Sequence, residues 1–247
     1  MNYELGAKTQ FADRRVTLNV AAFYSDIEDL QGTADAGSCS SRVVFNVEEA
    51  RSMGIEAELF ARVSENWDLG LAITAVDAEL RSSVTRVDNL GNTVVPAGLQ
   101  KGKTPADRPQ VPSVGSVGYN WAFGSSGFKG FANFTAQFVG SSFSQFTDAQ
   151  TNFGVISNAN IPGAARLIGF GAPNASTITF DAKLDEYTIG NLRFGFVKDL
   201  WEAAVVVNNV WDERAQLALD RERGRSARVG FITNMPRTYG VTVRRSF

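Results

Sequence analysis

Pro236-Arg237-Thr238-Tyr239-Gly240-Val241-Thr242-Val243-Arg244-Arg245-Ser246-Phe247, the last twelve residues, decide how the rest of the chain is read. Tyr239, Val241, Val243 and Phe247 share one parity, while Thr238, Gly240, Thr242, Arg244 and Ser246 share the other. Successive side chains of a strand point to opposite faces, so this segment is expected to form a strand with one apolar and one polar side. It is still alternating when it stops on an aromatic. Chain ends of water-soluble domains tend to fray; an end that alternates up to Phe247 is built to be held in a sheet.

Working back from that end, the same alternation recurs. Tyr3, Leu5 and Ala7 oppose Glu4, Gly6, Lys8 and Gln10, and Val16, Leu18, Val20, Ala22 and Tyr24 oppose Thr17, Asn19 and Ser25. Further apolar sets are Met53, Ile55, Ala57 and Leu59; Trp67, Leu69, Leu71 and Ile73; Val117, Tyr119 and Trp121; Phe134, Ala136 and Phe138; Leu192, Phe194 and Phe196; and Trp201, Ala203, Val205 and Val207. About nine strands result, antiparallel if joined in order. Their connections alternate in length. Short turns at Ala12-Asp13-Arg14, Ser64-Glu65-Asn66, Gly124-Ser125-Ser126-Gly127 and Lys198-Asp199-Leu200 alternate with long connections near 28–46, 81–108, 141–183 and 213–235. Long structureless loops are uncommon in compact soluble domains. Recurring at one end only, they match a transmembrane β-barrel with short periplasmic turns and long extracellular loops. The strands run roughly ten residues, close to what a tilted strand needs to cross a bilayer.

Aromatics gather beside the short turns: Phe11, Trp67, Trp121, Phe123, Phe128, Trp201 and Phe247. They are expected to form a girdle at one water–lipid boundary. Tyr24, Phe138, Trp211 and Tyr239, near the long loops, supply the second. Phe23 and Phe131 intrude on the polar face. Asn209 falls on the apolar one, where a bulge at Asn208-Asn209 would restore the alternation.

Composition narrows the function. The chain has 247 residues, 44% hydrophobic and 20% charged, with net charge -2. There is no basic excess to suggest nucleic acid. No run of eighteen apolar residues exists, so no transmembrane helix is available, whereas alternating strands reconcile spanning with near-neutral hydropathy. No histidine is present and Cys39 is the single cysteine. Ser-His-Asp and Cys-His mechanisms and most zinc sites are thereby excluded, and a lone cysteine forms no internal disulfide. No catalytic residue, metal or cofactor is assigned. Glu56 and Glu58 share a strand face, and Asp68, Lys129 and Arg193 are expected on the same polar wall. A water-facing lumen accounts for them without acid–base chemistry.

Ligand contact is expected, if anywhere, in the loops. The stretch Asp220-Arg221-Glu222-Arg223-Gly224-Arg225-Ser226-Ala227-Arg228 places Arg221, Arg223, Arg225 and Arg228 close together. Guanidinium groups hold carboxylates and phosphates by paired hydrogen bonds; the plainer alternative is a solvated loop partly neutralised by Asp220 and Glu222. Phe143, Phe146, Phe153, Ile156, Ile168 and Phe170 are expected to pack within their own loop or extend its hairpin above the membrane, the alternative being an exposed apolar binding surface.

Five segments resemble the C-terminal part of TonB-dependent outer-membrane receptors. Tyr3-Glu4-Leu5-Gly6-Ala7-Lys8 is similar to a recurrent strand of that family, as is Ala22-Phe23-Tyr24-Ser25-Asp26-Ile27-Glu28-Asp29-Leu30-Gln31. Ser52-Met53-Gly54-Ile55-Glu56-Ala57-Glu58, Asn208-Asn209-Val210-Trp211-Asp212-Glu213-Arg214 and the Pro236-Arg237-Thr238-Tyr239-Gly240 strand complete the set in order. Arg245 departs from the family pattern, which usually has an aromatic two residues before the final Phe. The resemblance implies an up-and-down barrel wall in the outer membrane of a Gram-negative bacterium. It also implies a terminal strand (Phe247, Val243, Val241, Tyr239) recognised by the barrel-assembly machinery, contact with membrane lipid and lipopolysaccharide, and energising by TonB.

The expected role is import of a scarce nutrient, foremost a ferric siderophore complex, with cobalamin or a glycan as other cargoes. The family's energy-coupling box and plug have no counterpart here, and its barrel has 22 strands. Residues 1–247 are therefore expected to be one C-terminal portion of the barrel, open at both edges, preceded by a region not included. The alternative is a small standalone outer-membrane barrel or adhesive protein, which a tenth strand within 28–46 or 141–183 would favour.

Overall fold

The computed structural model describes residues 1–35, 42–104, 111–150, 152–157, 167–169, 172–222 and 228–246. Nine strands build one sheet: β1 Asn2–Phe11, β2 Val16–Asp35, β3 Arg42–Arg62, β4 Trp67–Leu80, β5 Ser113–Ala122, β6 Lys129–Val139, β7 Tyr187–Lys198, β8 Trp201–Asn208 and β9 Thr238–Arg245. Each pairs antiparallel with the next, so the order in space is the order in sequence, with β1 and β9 as the two edges. The sheet is not closed. The nine expected strands are these nine, although β8 and β9 run only eight residues each.

The register divides the wall as the alternation predicts. One continuous row runs Lys8, Asn19, Glu58 and Ala72 across β1 to β4, and another runs Asn133, Arg193, Val206 and Gly240 across β6 to β9. Leu18, Leu59, Leu71, Phe134, Leu192, Val207 and Tyr239 hold the opposite face. Phe23, on the polar face, lies over Gly54, where any side chain would meet its ring at 2.8 Å. Phe131 is buried beneath the Arg193 guanidinium, 4.8 Å from its ring centre. Phe131 is thus covered by a neighbour, while Phe23 stays half-buried against the sheet.

The tight β1–β2 turn holds Ala12, Asp13 and Arg14 at φ 52°, 56° and 63°, a left-handed run closed by the Arg15 amide on the Ala12 carbonyl at 3.1 Å. Three corrections concern the long-loop end. The expected connection 28–46 is mostly strand, because β2 continues to Asp35 and β3 begins at Arg42. The ladder passes from Glu28↔Glu49 to Leu30↔Val47 without a paired rung at Asp29, whose φ is 53°. There the inward parity changes: Ala50 is buried on one side of that point, Gly32 and Val47 on the other. A left-handed residue rotates the ribbon, and a period-two pattern read through it loses phase. Second, the loop 140–186 contains short paired ribbons, Val155–Ser157 with Thr177–Thr179 and Leu167–Gly169 with Ala172–Ala175, but none joins the nine-stranded sheet. Third, Asn209 sits on no bulge. Strand β8 ends at Asn208, and Asn209 turns away at φ 53°.

The dry cores lie among the loops. Val47, Ala50, Leu80 and Leu99 form one cluster, with Ile27, Leu30, Phe45, Val84 and Phe146 against it. Phe153, Phe180, Ala182 and Leu219 form a second, joined by Ile156 and Phe231. The first ties three long connections together, and the second ties the third to the fourth. Phe153 and Ile156 pack within their own connection, on Phe180 and opposite Ile178, and also reach Leu219 or Phe231 of the fourth, whereas Phe146 packs on the first cluster.

Candidate functional site

On the polar face, Glu4, Lys8, Asn19, Glu56 and Glu58 line a concavity of about 510 Å³. The Asn19 amide donates to Glu58 Oε2 at 3.3 Å. Farther along, Asp68 receives Arg62 Nε at 3.5 Å and the Asn120 amide at 3.4 Å, and Arg193 pairs with Glu202. The five polar-wall residues expected from sequence thus share one face. Opposite charges and amides alternate along it, as befits a hydrated wall. No group of three or more potential metal ligands occurs among the described residues.

Most of the aromatics beside the short turns lie close together on the opposite face. Trp67 meets Tyr119 at 4.5 Å, Tyr119 stacks on Trp121 at 5.5 Å, and Trp121 touches Phe123 and Phe194 at 5.8 and 5.7 Å between ring centres. Phe128 meets Phe196 at 5.8 Å, and Trp201 stands exposed under Arg245 at 5.4 Å. At the other end, Tyr24 approaches Tyr3 at 6.5 Å. Trp211 packs on Phe134 at 5.8 Å and lies flush on Gly190, where a side chain would collide with its indole. Just above the apolar band, Arg51 bridges Asp77 and Glu79 at 2.8 and 3.1 Å.

The four arginines singled out as ligand contacts belong to the loop between β8 and β9. A ribbon of Gln216–Glu222 and Arg228–Thr233 rises there, with Arg221 opposite Val229 and Glu222 opposite Arg228. Arg221 and Arg228 thus occupy adjacent rungs near the ribbon tip on facing strands. Arg223, Arg225 and Phe247 lie outside the described residues, as does Cys39. Tyr239, Val241 and Val243 stand exposed on the apolar face of β9.

What the sequence did not single out is how this ribbon is footed. Asn209 is buried and saturated. Its amide nitrogen donates to the carbonyls of Glu213 at 2.9 Å and Met235 at 3.0 Å, its oxygen accepts the Glu213 amide at 2.9 Å, and its own amide donates to Asn191 Oδ1 at 3.1 Å. Asp212 accepts the Arg237 amide at 2.8 Å. That hydrogen bond, with the nearby Arg214 and Arg237 charges, holds its carboxyl below the usual range. Asp88 is lowered likewise by the Asn92 amide, which closes the turn of a smaller ribbon, with help from the Leu90 amide. The sequence signal for the footing was the Asn-Asn pair followed by Asp: short polar side chains that tolerate left-handed backbone and bond to it.

A family profile described as TonB dependent receptor-like, beta-barrel matches residues 1–210. Among solved structures, the ferric yersiniabactin uptake receptor FyuA from Yersinia pestis superposes with a TM-score of 0.67 at 17% identity, covering 100% of this chain and 29% of the receptor. BauA, the ferric preacinetobactin receptor from Acinetobacter baumannii, gives 0.62 at 12% identity, with 100% and 29% covered. The ferripyoverdine receptor of the outer membrane of Pseudomonas aeruginosa, bound to ferripyoverdine, gives 0.57 at 17%, with 100% and 27% covered. At these identities the likeness shows the shared fold. The chain spans under a third of the length of each receptor.

Proposed function

Because this chain belongs to the TonB-dependent receptor β-barrel family, we propose that its nine strands are one section of the wall of an energised nutrient importer in the outer membrane of a Gram-negative bacterium. The observation that carries this reading is the division of one nine-stranded sheet into an apolar and a polar face within that family. In hydrocarbon every backbone polar group needs a partner, so spanning sheets close. Strands β1 and β9 each expose an edge, so the wall is completed by further strands. Residues 1–247 then act as one structural unit of a larger barrel, with TonB acting through a region outside them. A self-contained small barrel fits less well, since the loop ribbons add no strand to the sheet.

The cargo we favour is a ferric siderophore complex, over cobalamin or a glycan. The structural neighbours named above are receptors for ferric chelates. Arg221, Arg223, Arg225 and Arg228 are its proposed contacts, since hydrogen bonds to an ionised partner are the strong ones. Lipopolysaccharide would border the same loops, and the terminal strand would be read by the barrel-assembly machinery.

Uptake of radiolabelled iron chelates and cobalamin by cells carrying the complete receptor tests the reading. Changing Arg221 and Arg228 together to Gln should raise the half-saturating concentration of one ferric chelate about tenfold, the equivalent of losing one charged contact, with surface expression unchanged. If no iron chelate enters through the receptor, the cargo assignment fails. If the chelate enters with unaltered half-saturation in the variant, the arginine assignment fails.

A further inference from the structure

The long connections meet in two apolar clusters, and one stretch of chain takes part in both. Phe146, in the single helical turn Phe146–Ala149, packs on the cluster of Val47, Ala50, Leu80 and Leu99. Phe153, farther along the same connection, is buried in the other cluster with Phe180 and with Leu219 of the ribbon.

The turn at Phe146 is held from two sides. A side chain built on Gly32 would come within 3.9 Å of the Phe146 ring, and one on Gly98 within 2.6 Å of the Phe146 carbonyl. Gly98 is also left-handed, at φ 71°, so a side chain there would be strained as well as crowded. The hairpin of β2 and β3 and the connection after β4 thus both close on this turn. The ribbon holds the same stretch on either side of Phe146. The Leu219 amide donates to Ser144 Oγ at 2.6 Å, and Leu219 and Phe231, opposite each other in the ribbon, share the second cluster with Phe153.

The backbone linking these contacts is a succession of tight turns. Amides of Asp148, Gln150, Phe153 and Val155 donate to the carbonyls of Gln145, Thr147, Gln150 and Asn152, each at 3.1 Å. The buried Asp148 carboxylate accepts the Gln145 amide at 3.0 Å and fixes the start of the helical turn. Chains of packed side chains and hydrogen-bonded turns carry displacement from one end to the other.

We propose that Ser144, Phe146 and Phe153, with the turns joining them, form a strap that couples the arginine-bearing ribbon to the first two long connections. A movement of the ribbon then reaches Val84 and Leu99, which belong to the other cluster. The loop layer yields as one cap instead of four separate connections. The coupling does not depend on what the ribbon holds.

Hydrogen exchange of the complete receptor in detergent tests it. The Val84 amide, on the Leu99 carbonyl at 2.9 Å, and the Leu99 amide, on the Pro96 carbonyl at 3.1 Å, report on the first cluster. Leu219→Ala, in the second cluster, should speed exchange at both about fivefold, an ordinary coupling within one packed network. Amides between Ala57 and Ile73 in the wall should not change. In a Phe146→Ala background, where the strap has lost its grip on the first cluster, adding Leu219→Ala should move neither reporter further. Ser144→Ala removes only the acceptor of the Leu219 amide and should move the same reporters about twofold, which keeps the test open if Leu219→Ala does not fold. Reporters that ignore the ribbon-side variants, a response that persists undiminished in the Phe146→Ala background, or a rise that extends into the wall would each overturn the proposal.

Discussion

In the wall, Leu71, Val205 and Val241 point away from the sheet and remain 42%, 48% and 75% exposed, whereas above it Val47, Leu80 and Leu99 are fully sealed. Among the described residues, the three largest completely buried side chains all serve the loop layer. Apolar groups leave water wherever they can. The loop layer, facing water, builds its own dry interior by packing one connection on another. Most large apolar residues of the wall instead stand outward, in the place a bilayer would fill. One sequence thus obeys two solvents, and where the hydrophobic side chains point reports which.

The comparison breaks most readily at Leu99. Leu99→Ala removes a fully buried side chain on which loops from three connections converge, and should cost about 2–5 kcal/mol. The loss should stay above the wall. Amide hydrogen exchange in 81–104 and at Phe146 should rise steeply while β3 and β4 between Ala57 and Ile73 keep their protection. Faster exchange in those wall segments would mean that loops and wall are one cooperative unit.

Two adjacent residues sharpen it from the other side. Leu71 and Ala72 are neighbours on β4 with opposite facing, and Ala72 stands across from Glu58. Leu71→Arg should destabilise the wall in lipid by about 2–4 kcal/mol near the middle of the bilayer. Ala72→Arg, beside a carboxylate on the hydrated face, should shift it by under about 1 kcal/mol. Urea release from phosphatidylcholine vesicles, followed by tryptophan fluorescence, measures both. Equal penalties would remove the distinction between the faces.

The same contrast explains what could be read from the sequence. Wall strands were legible because one face is apolar and the other polar, which writes a strict two-residue period from Val16 to Tyr24 or from Trp67 to Ile73. Where β2 and β3 run on past Asp29 towards their connection, that alternation lapses. The left-handed residue at Asp29 then shifts the phase, so true strand up to Asp35 read as loop. The cross-loop cores were illegible for a related reason. Leu99, Phe146 and Leu219 find partners far away in the chain, and no local period marks such contacts. The polar-face residues Glu56, Glu58, Asp68, Lys129 and Arg193 followed from parity alone. Asn209 did not, because its role is to end a strand, and alternation describes only strands that continue.

Asn209 also marks the joint between the two regions. Asn209→Ala would orphan the carbonyls of Glu213 and Met235 and the Glu213 amide in a partly buried position, at up to about 1–3 kcal/mol for a group left unsatisfied. The ribbon carrying Arg221 and Arg228 should lose its footing, seen as protease cleavage near 213–216, while β8 and β9 stay paired. Asn209→Asp keeps the acceptor for the Glu213 amide and loses both donated bonds, and so should fall between the two. A wall that loosens along with the ribbon would place Asn209 inside the sheet's cooperative unit instead of at its border.

Asp212 secures the other side of the same joint, and its effect is the smallest because it stands in water. The Arg237 amide lies 2.8 Å from its carboxylate, and that bond favours the ionised form. A carboxyl whose folded pKa lies below its unfolded value stabilises the fold above the unfolded value, near 3.9. That contribution disappears as the pH falls through the lower folded one. The joint should therefore be insensitive to pH between 5 and 8 (about the range where ordinary carboxylates stay ionised) and loosen only on stronger acidification. Asp212→Asn keeps an oxygen for the Arg237 amide but has nothing to titrate. The acid-dependent rise in exchange or shift of the Arg237 amide signal should vanish in that variant while its neutral-pH signal stays close to wild type. A wild-type Arg237 amide that ignores acid, or a variant that still responds to it, would assign the joint's stability to the Asn209 bonds alone.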